Sequence, residues 1–286
     1  MRQEAREVLL TKSGISAAST AILVAFGFLS AIFQVALAVW PSLAQHDILI
    51  LSALACSCIA AGVFRVWPKF ETTHRYNYPS FAIHVKCGDV LSEKSFVVGF
   101  TDTFDTDTTG GLVINPRSVQ GQFQSSFYGD ETARLASEIQ EELQTVTVVK
   151  QETRLTKPKG NLDRYPVGTT VVLRPRDTTI YASAYGYMRN DLRVSCSVDS
   201  LWTSLTSVWD AVREHNSLEP VAVPVIGSEL ARVGSLDRNS LIKMIALSFI
   251  ASSREEVVSR QLTIVVHPKD RSLVNLLDID TFLRSL

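Results

Sequence analysis

Cysteine is scarce in this chain, with four among 286 residues. Cys56 and Cys58 stand one residue apart, the wrong spacing for a structural zinc site, and Cys87 and Cys196 are isolated. Neither a disulfide framework nor a metal centre is indicated, and a reducing cytoplasm suits the pattern. An excess of either charge is also missing. The formal net charge is -1, which gives no support to nucleic-acid binding driven by bulk electrostatics. Between Ile15 and Trp40 charge is absent altogether, and Gln34 is the only strongly polar side chain.

That uncharged run corresponds to ~39 Å of helix at ~1.5 Å per residue, enough for a hydrocarbon core of ~30 Å with some tilt. A break at residues 41–47 precedes a second uncharged run, 48–64, of ~25 Å, which Val66 and Trp67 extend while Arg65 snorkels. Neither run has a polar face for water, which argues against buried helices of a soluble protein. Ala36-Leu37-Ala38 has the small-x-small look of a signal-peptidase site. The preceding apolar run, however, far exceeds the ~7–15 residues of a signal peptide core. Arg2, Arg6 and Lys12 precede the first run, while Arg65, Lys69 and Arg75 bracket the end of the second, and the corner between holds no Lys or Arg. The expectation is a transmembrane hairpin in a bacterial inner membrane, with the N-terminus and everything after Trp67 in the cytoplasm. Small residues such as Gly27, Ala31, Ala61 and Gly62 would let helices approach, within the hairpin or between copies.

The chain then reads as four parts. Residues 1–14 are a cytoplasmic tail, 15–67 the hairpin, 68–79 a basic and aromatic juxtamembrane linker, and 80–286 an α/β domain. Strands are expected at 81–85, 96–100, 170–173, 179–185, 221–226 and 262–266. Helices are expected at 130–143, around 201–212, at 241–250 and at 274–283. Residues 110–122 are loop-like, and 150–168 form a long polar loop or insertion. Near-continuous apolar strands alternating with amphipathic helices predict a three-layer α/β/α domain.

In such a sheet, ligands bind beyond the carboxyl ends of the strands. Three loops qualify: Gly88-Asp89-Val90, with a carboxylate able to accept from an amino group; Gly99 to Asp105, leading to Gln120-Gly121; and Gly227 to Gly234, whose amides suit an anion.

The order of Val85-Lys86-Cys87-Gly88-Asp89-Val90 and Val223-Pro224-Val225-Ile226-Gly227-Ser228 resembles the opening motif and diphosphate loop of macro domains. More narrowly, three stretches look like the macro domains of bacterial Thoeris anti-phage effectors: Val97 to Asp105, Ser118 to Phe123, and Ile226-Gly227-Ser228-Glu229-Leu230-Ala231-Arg232. Two spans ahead of such a domain match the transmembrane–macro effector of type II Thoeris systems. The resemblance implies a sensor of an ADP-ribose-derived signal, a histidine–ADP-ribose conjugate made by a TIR-domain partner. Ligand binding would drive self-association into homo-oligomers and disruption of membrane lipid, killing the infected cell. It also implies roles for individual residues. Asp89 and Val90 would hold the adenine. Gly227, Ser228, Glu229 and Leu230, followed by Arg232, would wrap the diphosphate. Thr101, Asp102, Phe104, Asp105, Gln120 and Gly121 would face the distal ribose and its adduct. No cofactor, metal or catalytic residue is implied.

The chain departs from the family in two places. Glu229 stands where a second glycine is common, and Thr101-Asp102-Thr103 replaces the asparagine-rich loop of catalytic macro hydrolases. A membrane-tethered ADP-ribosyl hydrolase using Asp102, Asp105 or Glu229 as base is the competing enzyme reading. A structural membrane adaptor is a third.

Overall fold

The computed structural model describes residues 12–40, 47–65, 71–227 and 236–286. They form two compact units: one draws on residues 1–70 and 275–286, the other on 71–274.

In the first unit, α1 (Lys12–Val39) and α2 (Asp47–Arg65) are the apolar helices. Their hydroxyl side chains satisfy themselves locally. Ser19 and Thr20 donate to carbonyls of the preceding turn at 2.8–3.1 Å, and Ser57 donates to Ala53 O at 2.8 Å. One stretch, Ala18–Val39 with mean hydropathy 2.4, is long and apolar enough to cross a membrane, and none of it is buried. The apolar part of α2, Ser52–Phe64, is shorter. The two helices pack on each other: a β-carbon on Gly62 would lie 2.7 Å from Ile22 Cγ1. The N-terminal tail to residue 11, the corner at 41–46 and residues 66–70 lie outside the described residues. The last helix of the chain, α7 (Leu276–Ser285), is N-capped by Asn275, which accepts from Leu277 N and Asp278 N.

The second unit is built on an eight-stranded sheet. Its strands are β1 (Glu71–Asn77), β2 (Ser80–Cys87), β3 (Ser95–Thr101), β6 (Thr170–Leu173), β7 (Thr179–Met188), β8 (Val194–Ser195), β9 (Val221–Pro224) and β10 (Gln261–Val266). The order is β1-β2-β10-β9-β3-β7-β6, with β8 paired to β7. β2, β10, β9, β3 and β7 run parallel; β1, β6 and β8 are antiparallel additions. The five parallel strands therefore end together, at residues 87, 266, 224, 101 and 188.

Apolar side chains on both sheet faces demand a covering layer on each. On one face Phe96, Val98, Phe100, Ile180, Ala182 and Ala184 share a core with Phe123 of α3 (Val119–Phe127). Leu135, Ile139 and Leu143 of α4 (Thr132–Leu143) complete it. Full burial of such side chains contributes roughly 1.5–3 kcal/mol each. The other face carries α5 (Val198–His215) and α6 (Arg238–Glu255). There Trp209 meets Phe249 edge-on at 5.2 Å and donates from Nε1 to Ser248 Oγ at 3.0 Å. A capping box, Ser197 with Ser200, starts α5.

The expected layers are present, but three local expectations need correction. Residues 71–77, read as linker, are a full strand paired along its length with β2, and Tyr76 stacks on Phe81 at 4.8 Å. The loop-like stretch 110–122 already contains the start of α3, capped by Ser118, whose Oγ accepts from Gly121 N at 3.1 Å. The 150–168 insertion is folded: β4 (Lys150–Gln151) pairs with β5 (Asp163–Arg164), and Lys157 is fully buried.

Candidate functional site

At the common carboxyl end of the parallel strands lies a cleft with two compartments. The larger, about 170 Å³, takes its walls from the ends of β3, β7, β9 and β10 and from the start of α3. The smaller, about 30 Å³, is lined by Gly88, Asp89, Val90 and Leu91. Val119, Gln122, Pro224, Val265 and His267 line both, so the two are contiguous.

The small compartment follows from how β2 ends. Gly88 N donates to Val266 O at 3.0 Å, holding the turn against β10. Asp89 then caps a 3-10 turn, accepting from Leu91 N at 3.0 Å. Its carboxylate is exposed and has no other partner among the described residues. Val90 is buried beneath. A fixed carboxylate over an apolar floor suits a flat ring carrying an amino donor.

In the large compartment Thr101, Gln120 and Gly227 are wall residues. Gln120 is anchored by donating from Nε2 to Asp105 O at 2.8 Å. Gly227 has φ +85°, a conformation that only glycine adopts cheaply. Ser228, Glu229, Leu230 and Arg232 lie outside the described residues.

Four expected contacts are placed elsewhere. Phe104 is fully buried in the core, with its ring 5.7 Å from that of Phe100. Gly121 faces the 115–116 backbone, and a β-carbon there would sit 2.5 Å from Asn115 O. Asp102 is 1% exposed; one of its oxygens accepts from Arg164 Nη1 at 2.6 Å and the other from Met188 N at 2.7 Å. Asp105 is 2% exposed and accepts from Thr103 Oγ1 at 2.6 Å, Lys157 Nζ at 3.1 Å and the Asn161 amide. Burying a carboxylate without partners is costly, so both acids turn to the cations of the 150–168 segment instead of the cleft.

This network does more than neutralise charge. Arg164 also donates to Glu152 at 2.8 Å, to Met188 O at 2.7 Å and to Asn190 Oδ1 at 2.9 Å. It thereby ties the insertion to the β7–β8 hairpin, whose Met188 and Val194 form part of the cleft wall. Burial pushes the Asp102 carboxyl above its ordinary range, against the opposing pull of the Met188 amide and Arg164. Glu152 is held at about 2, first by Lys150 and then by Arg164 and Thr156.

Several wall residues were not expected from the sequence: Tyr185, Met188, Arg117, His267 and Lys269. Burial raises the Tyr185 phenol well above its ordinary range, so it stays neutral. His267 had one usable signal, its place immediately after a recognisable parallel strand. No group of three or more His, Cys, Asp or Glu side chains able to hold a metal occurs among the described residues.

The fold is that of a macro domain. A macrodomain from Oceanobacillus iheyensis, solved with ADP, superposes with a TM-score of 0.50 at 13% identity, over 76% of this chain and all of that one. The same macrodomain with MES bound gives 0.47 at 14% identity, over 76% and 100%. No curated protein matches the chain. A family model, Thoeris protein ThsA, Macro domain, matches residues 83–267. The chain belongs to that Thoeris ThsA macro domain family.

Proposed function

We propose that this protein is a membrane-anchored effector of anti-phage defence whose macro domain senses an ADP-ribose-derived signal without consuming it. The observation that carries the reading is the paired cleft: one compartment bears an exposed carboxylate, Asp89, held only by the Leu91 amide among the described residues, and opens into a second that reaches Gly227. That sequence of features suits an adenine followed by a diphosphate, and the Oceanobacillus macrodomain of similar fold was solved with ADP. Arg117 and Lys269, lining the larger compartment without ion-pair partners among the described residues, favour an anion.

A sensing role is favoured over hydrolysis because two of the three candidate bases, Asp102 and Asp105, are buried and fully engaged, while Glu229 lies outside the described residues. Neither aspartate is available as a base toward a cleft-bound molecule. The signal is a histidine–ADP-ribose conjugate supplied by a TIR-domain partner. The anchor is the 15–67 hairpin, with the macro domain on the cytoplasmic side as the Lys and Arg distribution demands. Two helices do not enclose a channel, so membrane disruption requires many copies, and the ligand favours assembly only as far as it binds the assembled state more tightly.

Calorimetry on the detergent-solubilised chain with ADP-ribose tests the reading. The wild type binds without turnover by chromatography, and Asp89→Ala weakens binding by about 1.5–3 kcal/mol, the range for a charged hydrogen bond. Unchanged affinity rejects the adenine assignment, and release of ADP-ribose from an ADP-ribosylated protein incubated with the chain favours the hydrolase. For orientation, Ser42→Cys labels from the periplasm and Lys159→Cys does not; the reverse pattern rejects a cytoplasmic sensor.

A further inference from the structure

His267 stands where the two compartments meet and lines both of them. Three features hold it there. β10 pairs with β2 through Val266, and Gly88 N donates to Val266 O, so the residue after the strand lies beside the Gly88–Asp89 turn. Pro268 follows, which restricts His267 to extended backbone, observed at φ -62°, ψ 139°. Its ring Nδ1 accepts from Lys269 N at 3.2 Å, capping the 3-10 turn 268–273.

That cap decides the chemistry of the other ring nitrogen. Nδ1 is acting as an acceptor, so in the neutral ring the proton resides on Nε2, which is then a donor. His267 is exposed, and Nε2 has no hydrogen-bond partner among the described residues. The neighbouring wall polarity matches: Lys269 and Arg117 carry positive charge with no ion-pair partner among the described residues, while the nearby carboxylate of Asp270 is already bound by Arg238 at 2.8 Å. A ligand crossing from the Asp89 compartment toward Gly227 must pass this donor with the part of the molecule between its base and its distal sugar.

We propose that His267 is a ligand-binding residue of the cleft, donating from Nε2 to a phosphate oxygen of the bound nucleotide diphosphate. The assignment rests on the reading of the cleft as an ADP-ribose-type site. It makes the histidine a selector for the diphosphate, as Asp89 is for the base.

The test separates the ring's contact from its cap. In His267→Asn the short amide still caps Lys269 N, asparagine being a favoured cap, but it no longer reaches the ligand. His267→Ala removes both. Binding of ADP-ribose, ADP and adenosine to the full chain in detergent is measured beside the thermal midpoint. The proposal expects both variants to lose about tenfold or more in affinity for ADP-ribose and ADP. Adenosine should stay within about twofold, and the midpoint of His267→Asn should match the wild type. If His267→Asn binds ADP-ribose like the wild type, the residue is only a cap and the proposal fails. Equal losses for adenosine also overturn it, because the contact is then to the nucleoside. Wild-type protein that binds neither ADP-ribose nor ADP removes the underlying reading, a result distinct from either.

Discussion

The ring of Tyr185 occupies the space that a side chain at Gly99 would need. A β-carbon on Gly99 would lie 2.6 Å from Tyr185 Cε1 and 2.8 Å from Cδ1. The two residues sit on neighbouring parallel strands, and both line the cleft. Gly99→Ala must therefore displace the ring, at about 1–3 kcal/mol of overpacking. Denaturant midpoints should fall and ADP-ribose affinity should change with them. Adding Tyr185→Leu to Gly99→Ala should restore stability, and no recovery would show that the clash is not the cause.

The Lys157–Asp105 pair is nearly inaccessible on both sides, at 0% and 1% side-chain exposure. Lys157→Met leaves a buried carboxylate without its cation, costing about 3–5 kcal/mol. Lys157→Met with Asp105→Asn removes both charges and should recover much of that loss. A double-mutant cycle on unfolding free energies reads the coupling, and simple additivity would argue against it.

Glu152 sets a pH dependence with a defined sign. Its folded value of about 2 lies below the ~4.3 of an unfolded glutamate. Its stabilising contribution is thus complete above ~4.3 and disappears as pH falls through about 2. Asp102 runs the other way: its raised value means that ionisation opposes folding and acid relieves it. Glu152→Gln should be less stable than the wild type at neutral pH and should lose less stability between about pH 4 and 2. Parallel curves for the two proteins would count against the assignment.

Two glycines of the apolar helices α1 and α2 are not equivalent. Gly62 packs against Ile22, whereas nothing lies within 4 Å of a β-carbon on Gly27. Gly62→Leu should separate α1 from α2, seen as loss of crosslinking between cysteines placed on the two helices. Gly27→Leu should leave that pair intact while blocking ligand-driven association between copies. If Gly27→Leu also separates the helices, the distinction is wrong.

The regular elements were legible because their signals are local. The strand at 96–100 announced itself by continuous apolarity, α4 by Leu135, Ile139 and Leu143, and the loops that line the cleft by their place after strands. What escaped was carried by distant pairings. β1 is polar and aromatic, and only its partner β2 makes it a strand. Asp102 and Asp105 sit in the right loop for a ligand, yet their partners Arg164 and Lys157 arrive 62 and 52 residues later. No window along the chain contains both halves of that network. The same holds for Tyr185, whose place in the cleft depends on β7 lying beside β3.

The engagement of two loop acids by one insertion has a consequence for how such chains can change. A shortened descendant lacking residues 150–168 would strand Asp102 and Asp105 in the interior with no cation, a double penalty that no surface adjustment offsets. Such a deletion can be tolerated only if both acids are replaced in the same lineage by neutral residues. A comparison of related sequences should therefore find the insertion and the two carboxylates gained or lost together.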